Sequence, residues 1–255
     1  EIFRRFLEEV CGIVLGDNKQ YLVYSRLRRL IDEYAINDLG ELVLQAKKEN
    51  QSVLRRRIID AMTTNETSWF RDSYPYDLLK DVIYPELIKL EKTEVRIWSA
   101  ASSSGQEPYS ISMVTDEFLH SRLSSLSNIQ IVATDISQDV LNRAKHGVYD
   151  NISIARGLSE ERIQRYFELC NDNWVVKEAI RKRIRFNEIN LTNSFTALGK
   201  FDVIYCRNVL IYFSSAVKQD IIQRLSESLN PGGYLILGGS ESLPQSTDKF
   251  EIIRY

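Results

Sequence analysis

The sequence predicts an α/β protein in which a small all-helical domain precedes a doubly wound parallel sheet. In the first ninety or so residues, apolar side chains recur at helical spacing. From about residue 94 onward, short strands alternate with helices, and the strands are almost continuously apolar, as expected for burial on both faces. We therefore place the helical domain at residues 1–85 and the sheet domain at residues 86–255, with a small β-hairpin insert at about 171–187.

The helical domain is expected to contain four helices. The first is expected to stop at Gly16, and the second to cover residues 20–34. An Asp-x-x-Glu pattern at residues 38–41 predicts the start of the third helix, and Ser52 is placed to cap the fourth.

The sheet domain is expected to alternate strands with helices. Strands are expected at residues 95–98, 129–134, 201–205, 234–237 and 250–254. Helices are expected at residues 107–120, 137–145, 159–167 and 214–229. Residues 174–186 are rich in β-branched and charged side chains, which favours a hairpin, and the Asn-Pro-Gly-Gly sequence at 230–233 favours a turn.

Composition and charge restrict the class of protein. The formal net charge is −2, so a nucleic-acid partner, which favours a strongly basic chain, is not expected. No apolar run approaches the roughly 18 residues of a membrane span, so membrane insertion is not expected either. Cys11, Cys170 and Cys206 match no zinc spacing and favour a reducing, cytoplasmic setting. Neither His120 nor His146 lies in a metal-binding motif, so we expect no metal site and no Ser-His-Asp triad; a monomer is our default expectation.

The first strand end suits a ligand, because ligands of open α/β sheets bind beyond the C-terminal ends of the strands. A loop of small residues at 99–106 follows this strand, and Glu107 follows the loop at the start of a helix. The loop lacks the Gly-x-Gly-x-x-Gly cradle that a pyrophosphate needs. Glu107 would repel phosphate but accept a hydrogen bond from an ammonium or hydroxyl group. A Ser-rich loop with an acid at a helix N-terminus explains the same residues equally well.

The other strand ends favour a nucleoside. Asp135 closes its strand where an acid typically binds the ribose hydroxyls, although it also suits the N-cap of the next helix. Arg207 and Asn208 directly follow a buried strand, where such side chains are costly unless they bind something. Asn190 and Leu191 are suitable residues to lie beside an adenine ring. Because the phosphate cradle is missing, these residues favour a nucleoside without phosphates, and S-adenosylmethionine (SAM) fits.

Four blocks of sequence carry a family resemblance. They are residues 62–71 (MTTNETSWFR), 98–110 with GQEPYS at 105–110, 133–136 (ATDI), and 201–213 with CRNVLIYF at 206–213. In this order, and over nearly the whole chain, they resemble the chemotaxis receptor glutamate methyltransferase (CheR) family. The turn LNPGG at 229–233 resembles one that is common in SAM-dependent enzymes at large. The resemblance implies a Rossmann-like SAM-dependent methyltransferase domain with a small N-terminal helical domain and a small inserted β-subdomain.

The resemblance also implies roles for individual residues. Asn65, Thr67 and Arg71 would reach the cofactor from the segment before the Rossmann-like domain. The implied pocket is completed by Glu107, Asp135, Asn190, Leu191, Arg207 and Asn208. Arg71 and Tyr212 match positions near the reacting groups. A polar loop that ends a helix is the alternative for residues 64–67, and a core aromatic is the alternative for Tyr212.

The implied reaction is methyl transfer from SAM to glutamate carboxylates in the cytoplasmic helical domain of bacterial chemoreceptors. A glutamate with a pKa of about 4.3 is already ionised at neutral pH, so no general base is needed, in agreement with the scarcity of histidine. Arg26 and Arg29 lie one helix step apart and match the basic helix that the family uses against receptors. Asp32 departs from that pattern, and a solvated helix face is the alternative.

The insert departs from some members of the family. Those members carry a Gly-rich loop that pairs with a receptor tether by strand addition. Residues 171–174 are short and contain no glycine. We therefore expect weak or absent tether binding.

Two other functions fit the same cofactor site. The first is a methyltransferase that acts on RNA or a small molecule. The second is a non-catalytic regulator that binds the nucleoside and docks on signalling proteins.

Overall fold

The computed structural model describes residues 1–16, 18–48, 50–121, 126–243 and 249–253. The N-terminal helices are α1 (Ile2–Cys11), α2 (Gln20–Glu33), α3 (Leu39–Ala46) and α4 (Ser52–Met62). Their apolar faces form one core that includes Phe6, Leu27, Leu42 and Leu54. The predicted helical character of this region is confirmed.

The end of α1 differs from the prediction. The helix ends at Gly12 and not at Gly16, because Gly12 adopts the left-handed conformation (φ 74°) and its N–H closes the last turn on Glu8 O at 2.8 Å. A Cβ atom at Gly12 would lie 2.5 Å from Thr192 Cγ2. Both the backbone angle and the close approach to the second domain therefore require glycine here.

The two predicted N-terminal caps have different outcomes. Asp38 is the N-cap of α3, and its side chain accepts a hydrogen bond from Glu41 N at 2.9 Å, as the sequence predicts. Ser52 is the first residue of α4, and Gln51 occupies the cap, so the predicted cap was wrong by one residue. Helix ends are the least reliable part of such a prediction, because a neighbouring polar residue can take the same place.

A further helical stretch connects the two parts of the chain. It consists of α5 (Tyr74–Leu78), a π-helical turn (Leu79–Ile83) and α6 (Tyr84–Lys89). Its buried residues join the core beneath the sheet, whereas the core of the first four helices ends at Met62. The packing therefore divides the chain after Met62, earlier than the predicted boundary at residue 85.

The rest of the described chain alternates strands and helices. The strands are β1 (Glu94–Ala100), β2 (Asn128–Asp135), β3 (Val148–Tyr149), β4 (Phe167–Cys170), β5 (Asn173–Val176), β6 (Ile184–Glu188), β7 (Phe201–Cys206) and β8 (Leu229–Leu237). The helices are α7 (Gln106–Ser121), α8 (Gln138–His146), α9 (Asn151–Ile154), α10 (Glu160–Tyr166), α11 (Glu178–Arg181) and α12 (Ser215–Ser228), with 3₁₀ turns at Thr196–Leu198 and Leu210–Tyr212.

The central sheet is parallel. Within the described residues it contains five strands in the order β6-β2-β1-β7-β8. Val95 and Ile97 of β1 pack into the core on one face, and Trp98 and Ala100 pack into the core on the other. From β1 the chain passes through β2 to β6 at one edge of the sheet, and it then returns to β7 on the other side of β1. The strand order therefore reverses between β1 and β7. Such a reversal opens a ligand crevice at the C-terminal ends of the strands.

A small antiparallel sheet lies beside the main one, with the order β3-β5-β4. The predicted hairpin at 171–187 was wrong in its bounds: β5 pairs with β4, which precedes it, and β6 joins the parallel sheet beside β2. The tight turn falls at Asn171 and Asp172, which have φ angles of 46° and 63°. Short polar residues tolerate such angles, so they support a two-residue hairpin turn.

The C-terminal part holds two further corrections. Residues 230–233 fall within the bounds of β8, and the pairing with β7 shifts register there, because Phe201 pairs with Leu229 and Val203 with Tyr234. The predicted turn is therefore an irregular interruption inside a strand and does not precede one. Residues 250–253 form no strand, and residue 254 of the predicted last strand lies outside the described residues. No helix in the described chain has the length and apolar character needed to cross a membrane.

Candidate active site

A pocket opens at the C-terminal ends of β1, β2 and β7, and the N-terminal helical domain forms one wall of it. Eleven of the twelve residues predicted from sequence line this pocket: Arg26, Asn65, Thr67, Arg71, Glu107, Asp135, Asn190, Leu191, Arg207, Asn208 and Tyr212. Arg29 is not among the lining residues. Side chains that are far apart in the sequence therefore meet in one crevice.

The loop after β1 forms the floor of the pocket. Ala101 and Ser103 have left-handed backbone angles (φ 60° and 49°), and Ser102 N donates to Thr134 O at 2.8 Å. The loop turns through Gly105, where a Cβ atom would lie 3.0 Å from Tyr149 Oη. Small residues are required here because the backbone turns sharply against its neighbours.

Asp135 joins two of the loops around the pocket. Its Oδ2 atom accepts from Ser103 N at 2.8 Å, and its Oδ1 atom accepts from Ser137 N at 2.9 Å. Burial raises the pKa of Asp135 above its ordinary value, although these backbone hydrogen bonds oppose the shift. The N-cap of α8 is Ser137, whose side chain accepts from Val140 N, so the alternative role of Asp135 as that cap is excluded.

Glu107 and Arg207 form a buried ion pair behind the pocket. Arg207 Nη1 lies 3.0 Å from Glu107 Oε2, and Ser99 Oγ donates to Glu107 Oε1 at 2.8 Å. Arg207 Nη2 also donates to Arg71 O at 2.8 Å and to Asp72 Oδ2 at 2.7 Å. Burial raises the pKa of Glu107, and the charge of Arg207 opposes this shift. A buried pair of this kind is tolerated because its remaining hydrogen-bonding positions are largely occupied.

The segment that carries Arg71 is strained. Phe70, Asp72 and Ser73 have φ angles of 49°, 67° and 41°, which are unusual for residues other than glycine. Arg71 Nη1 donates to Glu66 O at 3.3 Å. Such backbone angles persist only where surrounding contacts enforce them, and they cluster at functional sites.

Two buried polar atoms of the pocket have no hydrogen-bond partner among the described residues. They are Ser102 Oγ and Arg207 Nε. Buried polar groups are nearly always paired, so two such atoms in one crevice indicate a polar ligand. The acids Glu107 and Asp135 suit a ligand with donors such as ammonium or hydroxyl groups, and they disfavour a phosphate.

The part of the pocket wall formed by the loop after α1 was not predicted from sequence. Val14 N donates to Tyr212 O at 2.9 Å, and Asn190 Nδ2 donates to Val10 O at 2.9 Å. Ile13 and other apolar residues of the loop after α1 also line the pocket. A loop has no periodic pattern, so the sequence offered no indication of this contact.

The two arginines expected to bind substrate lie in different environments. Arg26 is half-buried at the pocket and donates to Met62 O at 2.9 Å, Thr63 O at 3.1 Å and Thr64 Oγ1 at 3.2 Å. It therefore satisfies carbonyl groups at the C-terminal end of α4. Arg29 is exposed on α2, away from the pocket.

Tyr212 is half-buried and contributes to the pocket from the 3₁₀ turn Leu210–Tyr212. It is therefore not a fully buried core aromatic. Residues 64 to 67 do form an irregular segment after α4, as the alternative for them expected, and they line the pocket as well.

Comparisons with known proteins agree with this site. Residues 65–255 match the family model described as CheR methyltransferase, SAM binding domain, and residues 1–63 match CheR methyltransferase, all-alpha domain. Chemotaxis protein methyltransferase 1 of Pseudomonas aeruginosa is 54% identical, covering 100% of this chain and 93% of that protein. A chemotaxis protein methyltransferase of Salmonella typhimurium is 32% identical, covering 98% of this chain and 86% of that protein. The chain therefore belongs to the CheR methyltransferase family and is a SAM-dependent methyltransferase of chemotaxis.

Proposed function

We propose that this protein transfers the methyl group of SAM to glutamate side-chain carboxylates of bacterial chemoreceptors and so forms glutamyl methyl esters. The observation that carries the proposal is the single crevice in which Glu107, Asp135, Arg71 and Tyr212 come together between the two domains. The acids suit the cofactor, and the arginine suits an anionic substrate.

The cofactor would be held by groups from both sides of the crevice. Glu107 would accept from the ammonium group and Asp135 from the ribose hydroxyls, while Asn190 and Leu191 would flank the adenine. Asn65, Thr67, Arg71, Arg207 and Asn208 complete the pocket. When bound, SAM supplies a methyl group on a sulfonium centre. The unpaired Ser102 Oγ and Arg207 Nε support the fit, because a polar ligand would offer hydrogen-bond partners in this crevice.

The protein residues would act by orientation and desolvation. A glutamate substrate is ionised at neutral pH, so no side chain has to remove a proton. Arg71 steers the incoming carboxylate or binds the carboxylate of the cofactor, and Tyr212 lies at the same crevice. Holding two reactants in line can supply roughly 7–11 kcal/mol of the barrier reduction.

The receptor would approach over α2. This helix exposes Arg28 and Arg29, which suit an acidic receptor surface in the cytoplasm. We expect the protein to act there as a monomer. Each ester removes one negative charge from the receptor, which lowers the repulsion between neighbouring helices and shifts the receptor between signalling states.

The test is methyl transfer from radiolabelled SAM to membranes that carry chemoreceptors, followed by treatment with alkali. We expect label on the receptor that alkali releases as methanol, because a carboxyl ester is base-labile. Base-stable label, or label found on added RNA and not on the receptor, would refute the proposal. Binding of SAM without any transfer would favour a regulator.

A further inference from the structure

Glu241 forms an unusual set of hydrogen bonds in the loop after β8. Its Oε2 atom accepts from the backbone N–H groups of Asn208 at 2.7 Å and Gly238 at 2.8 Å. Its Oε1 atom accepts from those of Leu210 at 2.7 Å and Val209 at 3.0 Å. One carboxylate thus binds four backbone donors, and three of these belong to consecutive residues.

Those three residues lead directly from the end of β7 to Tyr212. Asn208 has a left-handed backbone angle (φ 58°), which turns successive N–H groups toward the same point. Asn208, Val209 and Tyr212 all line the pocket. The carboxylate therefore holds the backbone that presents pocket residues.

A second close approach joins the same two loops at Gly238. A Cβ atom at Gly238 would lie 2.9 Å from both Asn208 N and Asn208 Nδ2, and 2.8 Å from Glu241 Oε2. The two loops are therefore in direct contact, with no room for a side chain between them. Tyr74 Oη donates to Leu237 O at 3.0 Å and fixes the end of β8 where this contact begins.

We propose that Glu241 is a positioning residue for methyl transfer, which sets the backbone of residues 208–212 so that Asn208 and Tyr212 face the cofactor and the substrate. This inference rests on the proposed function for the roles of Asn208 and Tyr212. The carboxylate is required because all four partners are donors. A glutamine would present an NH₂ group to two of them, although its shape is nearly the same.

The test compares the wild-type chain with Glu241→Gln, using Glu91→Gln as the matched control. Glu91 is exposed and precedes β1, so it lies at the opposite end of the sheet from the pocket. In Glu241→Gln we expect the affinity for S-adenosylhomocysteine, measured by calorimetry, to fall about tenfold or more, and kcat to fall similarly. The receptor KM should stay within about twofold, which separates positioning from general loss of structure. Glu91→Gln should match the wild type in each respect.

Hydrogen exchange gives a readout that does not depend on the proposed function. The amides of Asn208, Val209 and Leu210 should exchange faster in Glu241→Gln than in the wild type. If the wild type neither binds the nucleoside nor methylates receptors, the proposed function fails, and exchange still decides whether Glu241 holds this backbone. If the wild type is active and Glu241→Gln keeps its affinity, kcat and amide protection, the inference is overturned.

A second variant covers the case in which Glu241→Gln does not fold. Gly238→Ala keeps the charge but places a methyl group against both Asn208 N and Glu241 Oε2, so it pushes the carboxylate and the 208–210 backbone apart. We expect the same combined loss of nucleoside affinity and kcat. A Gly238→Ala protein with wild-type values for both would contradict the inference.

Discussion

Buried charge characterises the residues of the pocket. Glu107, Asp135 and Arg207 are each largely removed from water, and each is held by hydrogen bonds or an opposite charge. Burial lowers the pKa of Arg207, but the carboxylate of Glu107 outweighs this effect and the pKa stands above its ordinary value. The arginine therefore remains charged, whereas the protonation of the two acids depends on the pH and on a bound ligand.

The first prediction concerns the pH dependence of nucleoside binding. Burial raises the pKa of Glu107 above 4.5 and that of Asp135 above 3.8, so both acids begin to take up protons at a higher pH than exposed acids do. Only the ionised forms are full acceptors for ammonium and hydroxyl groups. The affinity for S-adenosylhomocysteine should therefore fall as the pH falls through these raised pKa values, as calorimetry at successively lower pH would detect.

Glu107→Gln is the matched variant for this pH dependence. It should bind more weakly at neutral pH and show a shallower decline on acidification, because one of the two titrating groups is gone. An equally steep profile in this variant would exclude Glu107 as a source of the effect.

The second prediction concerns Arg71. Arg71→Ala should lower kcat/KM about a hundredfold, because a charged group that orients a reacting carboxylate is lost. Receptor methylation assays would measure this loss. Arg56→Ala removes an exposed arginine from α4 and should leave the rate unchanged. Normal turnover by purified Arg71→Ala would contradict the assignment.

At the scale of elements, α2 combines a structural arginine with a surface arginine. Arg26 binds carbonyl groups at the end of α4, so a substitution there also removes contacts within the domain. Arg29 is exposed and is the cleaner probe of receptor binding. Arg29→Glu should raise the receptor KM several-fold, which corresponds to a loss of about 1 kcal/mol of binding free energy. It should leave the affinity for S-adenosylhomocysteine unchanged.

Lys182→Glu is the control for Arg29→Glu, because it reverses an exposed charge just before β6, at the far edge of the sheet. It should leave the receptor KM unchanged. Equal loss of receptor binding and nucleoside binding in Arg29→Glu would count against a docking role for α2.

The small antiparallel sheet carries the next prediction. Its edge strand β4 has only four residues, and the turn at Asn171 and Asp172 is tight and lacks glycine. A short edge offers few backbone pairs to an added strand, and the charged Glu168 disfavours such pairing further. A peptide that corresponds to a receptor C-terminal tether should therefore bind weakly or not at all in calorimetry. Sub-micromolar affinity would refute this expectation.

At the scale of the whole molecule, the sequence predicted most of the pocket because parallel strands bring their C-terminal ends together. Glu107, Asp135 and Arg207 each follow a recognisable strand, so their convergence follows from topology. The hairpin partner of β5 was harder to predict than the pocket. The pairing depends on which neighbouring segment, β4 or β6, is joined to β5 by the tighter turn. The β6 segment was assigned to a hairpin for the same reason.

Contacts between loops could not be predicted from the sequence. Glu241 lies in a loop without periodicity, and its four donors are visible only once β7 and β8 are adjacent. The contact of Val14 with Tyr212 joins residues nearly two hundred positions apart. Arg26 was predicted from the charge pattern of α2, which carries no information about the carbonyl groups at the end of α4.

The central claim is that the crevice between the domains holds the nucleoside of the cofactor. Calorimetric titration of the intact chain with S-adenosylhomocysteine tests it most directly, with Asp135→Ala as the comparison. We predict saturable binding to one site in the wild type and a loss of about tenfold or more in Asp135→Ala. If the folded wild-type chain showed no affinity for S-adenosylhomocysteine or for SAM, the claim would be contradicted.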